Sequence, residues 1–525
     1  MQTDDEKITA TNAAEKLRAS PKKGCSCDSL AVGRLEPCTL VIFGASGDLA
    51  TRKLIPALFK MFVAGSLPGS FAIVGCGRTE MSGEEFHNRL EGLLEKQKDF
   101  DGRHWRSFAS CLHYHPLAYT SESFRKLAAY LRDLDKTAQT DGNYLFHLAV
   151  PPTLYGVIGE LLGEAGLSHE KREGKGWTRI VVEKPFGHNL QTAVELDTTL
   201  HRSFEEHQIF RIDHYLAKET VQNVLMLRFA NAIFEPLWNR NFIDYVGIIA
   251  AESLGIEQRA GYYEKAGVIR DMFQNHMLQL LSLTAMEPPA RFEADRVRDE
   301  KVKVFQAIRP FSLKPDDNLV LGQYEDGNIN GAAVPGYRGE EGVNPKSLTP
   351  TFAMMRLFVD NWRWKGVPFH LISGKRLQRK VTRIVIQFKD VPHTLFENVL
   401  AEHITANRLE MGIYPEEAIR LSFQTKNPGP RLCLKTMAMD FEYSRNYKGS
   451  GFDPYAKVLL DCILGDQMLF WRQDGVEASW GLLSPILDDC EQCRGRGERL
   501  HPYAAGSWGP ELAADQVKKI IGHDH

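Results

Sequence analysis

The pattern of apolar and polar positions divides the chain into two parts. Between residues 38 and 213, short uninterrupted apolar runs alternate with amphipathic segments, and most runs end in glycine, proline or charged residues. Such runs are typical of strands buried on both faces of a parallel sheet, with helices as connections. The first part is therefore predicted to be an α/β unit. Strands are predicted at 39–43, 71–75, 111–115, 144–150, 180–183 and 209–212, and helices at 82–96 and 121–134.

The second part, residues 214–525, has fewer helical segments between its apolar runs. Sequential strands without helical crossovers favour a mostly antiparallel sheet in a larger α+β domain. Its strands are predicted at 245–252, 382–388, 408–413, 417–425 and 432–440, and its helices at 219–232 and 267–285. The glycine-rich stretch 322–342 is predicted to be a long loop. Residues 1–37 are polar and aperiodic, which predicts a flexible N-terminal tail.

Composition narrows the class of protein. A chain of 525 residues is too long for one ordinary core, which fits two domains. The net charge of -3 at pH 7 gives no support for nucleic-acid binding as the main activity. No apolar run approaches the ~20 residues that span a bilayer, and the N-terminus lacks an apolar targeting core. We therefore expect a soluble, cytoplasmic protein with no membrane partner.

The cysteines do not form an obvious framework. There are nine of them, an odd number, in a long chain. Cys490 and Cys493 form a C-x-x-C pair in a predicted polar loop, where they are either incidental or part of a metal or redox site. A structural zinc site needs four ligands, and the sequence gives no support for joining this pair to Cys25 and Cys27. No metal site is predicted.

A glycine-rich turn follows the first predicted strand. Residues 44–49 read GASGDL, and a helical pattern begins after them. In a Rossmann-like βαβ unit such glycines let the backbone approach the coenzyme pyrophosphate, which lies at the helix N-terminus. The spacing is G-x-x-G-x-x-A rather than G-x-G-x-x-G, so a plain glycine-rich turn is the alternative. Arg78 follows the second strand, where an arginine suits the 2′-phosphate of NADP; an exposed loop arginine is the alternative there.

Polar residues cluster where later strands end. Lys184 follows the strand at 180–183, at the edge where open α/β sheets bind ligands. The stretch 211–219 reads RIDHYLAKE and supplies Asp213, His214, Tyr215 and Lys218. His214 and Lys218 are four residues apart, so on a helical turn they share one face, and with the Tyr215 hydroxyl they suit a dianionic phosphate. A solvated polar cap at a strand end is the alternative.

Further candidates lie in the second part. The predicted helix at 267–285 carries Asp271 and His276 in an apolar setting. A histidine on such a helix is more often a satisfied core residue, so its spacing alone leaves its role open. Glu252 closes a predicted strand, and Lys375 and Lys380 are candidates for the same cleft.

Several motifs taken together resemble those of glucose-6-phosphate dehydrogenases. They are GASGDLA, EKPFG, RIDHYLAKE and RDMFQNH, and PPTLY, IEQRAGYYEKAG, RWKGVPF and the Gly374-Lys375 pair are similar as well. The likeness runs from about residue 38 into the C-terminal region. It implies an NADP-binding Rossmann-like domain at 38–213. It also implies an α+β substrate-binding and oligomerisation domain at 214–525 that forms homodimers or homotetramers.

The resemblance also implies a reaction and its residues. Glucose 6-phosphate and NADP would give 6-phosphogluconolactone and NADPH, the first step of the oxidative pentose phosphate pathway. His276 would be the base for the C1 hydroxyl, oriented by Asp213. The substrate would be bound by Lys184, His214, Tyr215, Lys218, Glu252, Asp271, Lys375 and Lys380. The coenzyme would be bound by Gly44, Ala45, Ser46, Gly47, Asp48, Leu49, Arg78, Tyr155 and Lys184. NADP is expected, the sequence leaves the use of NAD open, and the Lys184–Pro185 bond is expected to be cis.

Some features depart from the family pattern. Animal members carry a second, structural NADP site lined by basic residues, and around 412–415 and 420–422 these are mostly missing, so the site is expected to be absent or altered. Lys380 stands where some members have arginine, which keeps the charge but loses bidentate geometry. A catalytically silent NADP-binding protein is the alternative function, and a relative acting on other hexose phosphates lies between. The presence of both Asp213 and His276 disfavours the silent protein, because binding alone needs no base.

Overall fold

The structure is a computed structural model, and it describes residues 35–97, 100–170, 176–311, 318–393, 404–430, 433–446, 453–492, 497 and 499–522. Most of the predicted tail at 1–37 lies outside these residues, as do Cys25, Cys27 and Cys493. Of Cys490 only the backbone is described.

The first sheet has six parallel strands in the order β3-β2-β1-β4-β5-β6. Its strands are β1 Cys38–Phe43, β2 Phe71–Gly77, β3 Leu112–Pro116, β4 Tyr144–Leu148, β5 Thr178–Val182 and β6 Ile209–Arg211. All six correspond to predicted strands, so the Rossmann-like fold class is confirmed. The strand order reverses between the neighbours β1 and β4, which opens a ligand crevice at their carboxyl ends.

Helices cover both faces of this sheet. They are α1 Ile55–Val63, α2 Gly83–Leu94, α3 Gly102–Ala109, α4 Ser121–Ala138, α5 Tyr155–Glu164 and α6 Leu190–His201, with a π-helical turn at Ala50–Leu54 and 3₁₀ turns at Pro152–Leu154 and Glu206–Gln208. Alternate residues of β1 enter two different cores, Val41 and Phe43 on one side and Leu40 and Ile42 on the other. This burial on both faces explains the unbroken apolar runs in the sequence.

The second sheet has nine strands in the order β16-β15-β14-β13-β7-β12-β11-β8-β17. Its strands are β7 Ile243–Ala251, β8 Leu319–Glu325, β11 Phe352–Phe358, β12 Pro368–Gly374, β13 Val381–Phe388, β14 Arg408–Tyr414, β15 Ala418–Lys426, β16 Leu434–Glu442 and β17 Leu500–Ala504. All pairs are antiparallel except β7 with β12 and β8 with β17. The prediction of a mostly antiparallel sheet is confirmed.

The prediction of a long loop at 322–342 is wrong. Strand β8 continues to Glu325, and a small hairpin follows, formed by β9 Gly327–Ile329 and β10 Ala332–Val334. The two residues between these strands, Asn330 and Gly331, both have positive φ, 53° and 86°. An Asn-Gly pair between short strands is typical of a tight hairpin turn.

The structure describes eight helices in the second part of the chain. They are α7 Glu219–Phe229, α8 Ala260–Val268, α9 Leu278–Ala285, α10 Ala294–Ala307, α11 Tyr443–Asn446, α12 Pro454–Leu464, α13 Gln473–Gln492 and α14 Glu511–Ile521, with 3₁₀ turns at Glu235–Leu237, Glu257–Arg259 and Tyr337–Gly339. The predicted helix at 267–285 is interrupted, because Gly267 has φ 57° and a π-helical segment, Ile269–Met277, precedes α9. The polar loop predicted around Cys490 is wrong as well, because α13 runs to Gln492.

One late helix returns to the first sheet. Val458, Leu459 and Cys462 of α12 are buried in the same core as Leu40 and Ile42 of β1. The division of the sequence at residues 213 and 214 stays a prediction, and in space the first sheet is completed by residues far beyond it. No helix in the described ranges is long and apolar enough to cross a bilayer.

Candidate active site

Three segments bring the predicted catalytic residues together. The first is the turn after β5, with Lys184, and the second is the turn after β6, with residues 213–218. The third is the π-helical segment Ile269–Met277. The Lys184–Pro185 bond is cis, as expected. The first two segments lie at the carboxyl edge of the parallel sheet, where the family of α/β folds binds ligands.

Asp213 and His276 are in direct contact although 63 residues separate them in sequence. Nδ1 of His276 lies 2.6 Å from Oδ1 of Asp213, and both side chains are buried. A carboxylate only accepts hydrogen bonds, so Nδ1 carries the proton and donates it. Nε2 is then left with its lone pair, which is the form that a general base needs. The Tyr215 N–H donates to the same Oδ1 at 3.0 Å and fixes the carboxylate further.

The surroundings set the protonation of this pair. Burial lowers the pKa of His276, and the opposing effect of the Asp213 charge does not cancel it, so the imidazole is neutral at pH 7. Burial alone would raise the pKa of Asp213, but the charge of His276 and its hydrogen bond outweigh it and lower the pKa to about 2. An ionised carboxylate therefore lies beside a neutral imidazole and can stabilise the imidazolium once a proton arrives.

The π-helical segment places Asp271 and His276 on one side. In an α-helix, residues five apart are about 140° apart around the axis. The i→i+5 closure of a π-helix instead stacks them. The Lys184 ammonium contacts both residues: its Nζ lies 3.0 Å from Nε2 of His276, 3.1 Å from the Asp271 carbonyl oxygen and 3.4 Å from Asp271 Oδ1. The Tyr262 hydroxyl donates to Asp271 Oδ1 at 3.2 Å.

A second group lies on the other side of His276. The Tyr215 ring stacks on the imidazole of His276 with centroids 4.1 Å apart, and the Lys218 ammonium lies 4.1 Å from the Tyr215 ring centroid. Burial and then the nearby charge of Lys380 lower the pKa of Lys218. Two ammonium groups close enough to repel each other form a favourable place for an anion.

His214 differs from what its spacing suggested. Residues 213–218 form tight turns, and α7 begins only at Glu219, so His214 and Lys218 do not share a helical face. The His214 ring lies 4.8 Å from that of His276. Burial and the neighbouring His276 lower the pKa of His214 to about 3, so it is a neutral hydrogen-bonding group and not a second cation.

Glu252 and Lys375 form a partly buried ion pair beside this cleft. The Lys375 side chain is only 4% exposed, and its ammonium lies 5.2 Å from the Tyr263 ring centroid. Lys375 and Lys184 both help to hold Asp271 in its charged form, although burial alone would raise the pKa of that carboxyl. Carboxylate and ammonium groups therefore alternate around the cleft, as suits a polyhydroxylated ligand.

The glycine turn fits a dinucleotide. Gly44 has φ 83°, and a Cβ added there would lie 2.3 Å from the Ala149 carbonyl oxygen, so only glycine fits. Of the other turn residues predicted to bind coenzyme, Asp48 forms an exposed ion pair with Arg52 at 2.6 Å. Arg78 is exposed, and no ion pair involves it within the described residues. Tyr155 is the first residue of α5; it is 1% exposed and lies near Glu183.

Sequence reasoning missed two residues near the cleft. Tyr262 lies in the motif IEQRAGYYEKAG, but nothing local assigns its hydroxyl to Asp271. Lys301 of α10 is 3% exposed, although it lies in the charged stretch RDEKVKV. The spacing of its buried neighbours Val297, Val304 and Phe305 puts Lys301 on the apolar side of the helix, and this pattern was the available indication.

Asp213, His214 and His276 also place ligand-type atoms within 4.8 Å of one another. The Lys184 ammonium beside Nε2 of His276 opposes a metal cation there, because like charges repel. The expectation that the second, structural NADP site is absent or altered stays untested; in this region Arg383 pairs with Glu410, and Arg420 pairs with Asp440.

Comparisons with known proteins identify the family. Two family models match, "Glucose-6-phosphate dehydrogenase, NAD binding domain" over residues 41–223 and "Glucose-6-phosphate dehydrogenase, C-terminal domain" over residues 225–523. Glucose-6-phosphate 1-dehydrogenase of Aggregatibacter actinomycetemcomitans is 46% identical over 488 residues, which are 93% of this chain and 97% of that protein. The enzyme of the same name from Bacillus subtilis strain 168 is 40% identical over 486 residues, 91% of this chain and 96% of that protein.

Solved structures agree. A glucose-6-phosphate dehydrogenase in complex with its substrate glucose-6-phosphate superposes with a TM-score of 0.85 at 35% identity, covering 93% of this chain and 99% of that one. Glucose-6-phosphate 1-dehydrogenase from Mycobacterium avium gives a TM-score of 0.76 at 32% identity, covering 92% and 97%. The chain belongs to the glucose-6-phosphate dehydrogenase family of nicotinamide-dependent oxidoreductases.

Proposed function

We propose that this protein oxidises D-glucose 6-phosphate at C1 to 6-phospho-D-glucono-1,5-lactone and transfers the hydride to NADP⁺, the first step of the oxidative pentose phosphate pathway. The observation that carries the proposal is the contact of His276 Nδ1 with Asp213 at 2.6 Å, which leaves the Nε2 lone pair beside Lys184. The names of the relatives and the substrate of the solved neighbour point to the same sugar phosphate.

In this mechanism Nε2 of His276 takes the proton of the C1 hydroxyl. The C1–H bond would break at the same time, and its electron pair would leave with the hydrogen as hydride, for which a nicotinamide coenzyme held at the glycine turn would be the acceptor. A C=O bond forms at C1. Asp213 stabilises the imidazolium, and such a positioned base contributes about 10²–10⁴-fold to the rate. The Lys184 ammonium, which donates to Nε2 here, turns to the sugar oxygen when the hydroxyl takes its place.

The remaining predicted residues bind the 6-phosphate, the sugar hydroxyls and the phosphates of the coenzyme. Lys218, Lys380, Tyr215 and neutral His214 form the phosphate site, which the mutual repulsion of the two lysines supports. Glu252, Asp271 and Lys375 bind sugar hydroxyls. Gly44, Ala45, Ser46, Gly47, Asp48 and Leu49 receive the pyrophosphate, and Arg78 reads the 2′-phosphate of NADP.

Assembly and location are part of the proposal. Strands β15 and β16 leave much of both faces uncovered, and Met437 and Met439 are 44% and 59% exposed. Apolar exposure of this kind on a sheet is typical of an interface, so we expect a homodimer or homotetramer that uses this end of the sheet. Cys38, Cys76, Cys111, Cys433 and Cys462 are free thiols, which suits a cytoplasmic location.

The test is reduced-coenzyme formation measured by absorbance with glucose 6-phosphate and each coenzyme in turn. The wild type should prefer NADP. His276→Asn should lose turnover while the affinity for the sugar phosphate, measured by calorimetry, stays within about threefold. A silent binding protein would show affinity without turnover in the wild type. Retained turnover with lost binding in His276→Asn would exclude His276 as the base.

A further inference from the structure

A buried amine lies in the second part of the chain that the proposed reaction does not use. Lys301 is 3% exposed, and its Nζ has no hydrogen-bond partner within the residues that the structure describes. Lysine is almost never fully buried unless it is paired. An amine without a hydrogen bond in such a place costs free energy, so its surroundings must compensate for it.

The contacts of α10 locate this amine relative to the dyad. Phe305, one helical turn after Lys301 and so on the same face, stacks on Trp471 with centroids 5.5 Å apart. Trp471 Nε1 donates to Oδ1 of Asn275 at 2.5 Å, and its backbone N–H donates to the Arg211 carbonyl at 3.1 Å. Asn275 precedes the base directly, and Arg211 lies two residues before Asp213. This face of α10 therefore approaches the dyad from behind.

Unpaired polar atoms remain on the dyad side as well. Oδ2 of Asp213 and Nδ2 of Asn275 are buried and have no hydrogen-bond partner among the described residues, whereas Oδ1 of each is bonded. An acceptor on Asp213 thus goes unmatched in the same region as donors on Asn275 and Lys301. Buried waters typically make about three hydrogen bonds to polar groups of this kind.

We propose that Lys301 is a positioning residue for the proposed reaction: through a buried water its amine holds the Oδ2 side of Asp213 and adds a positive charge behind the dyad. It does not touch substrate and acts only through Asp213. The inference rests on the proposed function, because its effect is exerted on the base of that reaction.

The charged groups around Lys301 agree with this role. Burial lowers the pKa of Lys301 to about 7, the Asp213 charge opposes this effect, and Arg298 of the same helix and Arg472 before α13 add to it. From the π-helical segment the titratable group beside Asp213 is His276, whose own pKa is lowered below 6.5. Lys301 is therefore charged in the acidic range where His276 titrates, and largely neutral at pH 8.5.

The experiment compares kcat from pH 5.5 to 9 for the wild type, Lys301→Met, Lys301→Arg and Lys303→Met. Lys303 is the matched control, because it lies on the same helix, has 66% of its side chain exposed and forms an ion pair with Glu300. In Lys301→Met, kcat should be about three- to tenfold lower than in the wild type at pH 6. At pH 8.5 kcat should lie within about twofold of the wild-type value, and both KM values should also stay within about twofold of the wild type. The rising limb of kcat against pH in this variant should move to higher pH by at least about half a unit, because the positive charge that lowers the pKa of His276 is removed. Lys301→Arg should keep the limb of the wild type.

Equal profiles for Lys301→Met and Lys303→Met, or a loss of kcat that is the same at both pH values, would overturn the inference and leave a structural role. A wild type without glucose 6-phosphate oxidation would instead contradict the proposed function. If Lys301→Met does not fold, a crystal structure of the wild type decides. An ordered water within about 3.2 Å of both Lys301 Nζ and Asp213 Oδ2 supports the inference, and apolar atoms between these two groups exclude it.

Discussion

Replacing Asp213 by asparagine tests the dyad directly. The side chain keeps its size but loses its charge at an Oδ1 that lies 2.6 Å from Nδ1 of His276. With charge centres about 4 Å apart at an effective dielectric constant of about 20, the imidazolium loses about 4 kcal/mol of stabilisation. This corresponds to about 10³-fold in kcat. An asparagine amide can also donate to Nδ1, which would move the proton to Nε2 and remove the base, so we expect a loss of about 10³–10⁴-fold.

The assay is the initial rate of reduced-coenzyme formation at saturating substrates, with binding of glucose 6-phosphate measured separately by calorimetry. The affinity should stay within about threefold, because Asp213 bonds His276 and the Tyr215 backbone and is 3% exposed. Asp133→Asn is a suitable control, since Asp133 is an exposed carboxylate that pairs with the equally exposed Lys136. A kcat within tenfold of the wild type, in a variant whose thermal melt shows a folded protein, would refute the assignment.

Three further predictions concern the coenzyme, the sugar and the buried amine. Arg78→Ala should raise KM for NADP about 10–100-fold and KM for NAD less than twofold, because a charge-assisted hydrogen bond contributes about 1.5–3 kcal/mol. Initial rates with both coenzymes test this, and equal effects on the two KM values would contradict the role of Arg78 at the 2′-phosphate. Tyr262→Phe removes the hydroxyl that donates to Asp271 at 3.2 Å. The KM for glucose 6-phosphate should therefore rise about fivefold with little change in kcat. An unchanged KM would count against a role of this contact in sugar binding. Lys301 has a folded pKa of about 7, below the unfolded value of about 10.4, so the unfolded chain binds more protons between these values. The wild type should therefore gain stability over Lys301→Met as pH rises from 7.5 to 9, by up to ~1.4 kcal/mol per pH unit in denaturant titrations, whereas its difference from Lys303→Met should stay constant.

The strands of the first sheet could be predicted well because each one is indicated by residues that are neighbours in the sequence. Most strands there contain a short apolar run that ends in a turn, and the helix at Gly83–Leu94 is indicated by the cap formed by Ser82 and Glu85. The helices α3 and α6 were not predicted. The second sheet is different. Strands β11 and β12 are short apolar runs without alternation, the second beginning at Pro368, and periodicity cannot separate such runs from helix or loop. The hairpin of β9 and β10 was not predicted, because the glycines around it indicated a loop.

The site divides in the same way. Lys184 and Asp213 could be placed at the edge of the parallel sheet from strand ends alone. The partnership of Asp213 with His276 joins positions 63 residues apart, and only the motif resemblance suggested it. The π-helical segment cannot be inferred from composition, so neither can the shared side of Asp271 and His276. Lys301 looked like a solvated lysine because its neighbours in sequence are charged. Its burial follows from the packing of α10, whose Phe305 stacks on Trp471.

The return of α12 to the first sheet imposes an order of events during synthesis. The last strand of that sheet, β6, is complete at Arg211, but Val458, Leu459 and Phe470 also belong to the core beneath it. About 260 residues separate these points, which at about 5–20 residues per second takes on the order of 10–50 s. Throughout that interval the emerging coenzyme unit has an uncovered apolar face, a surface for chaperones to hold. The part of the protein that is made first, up to Arg211, thus completes its core only when residues 458–470 have been made.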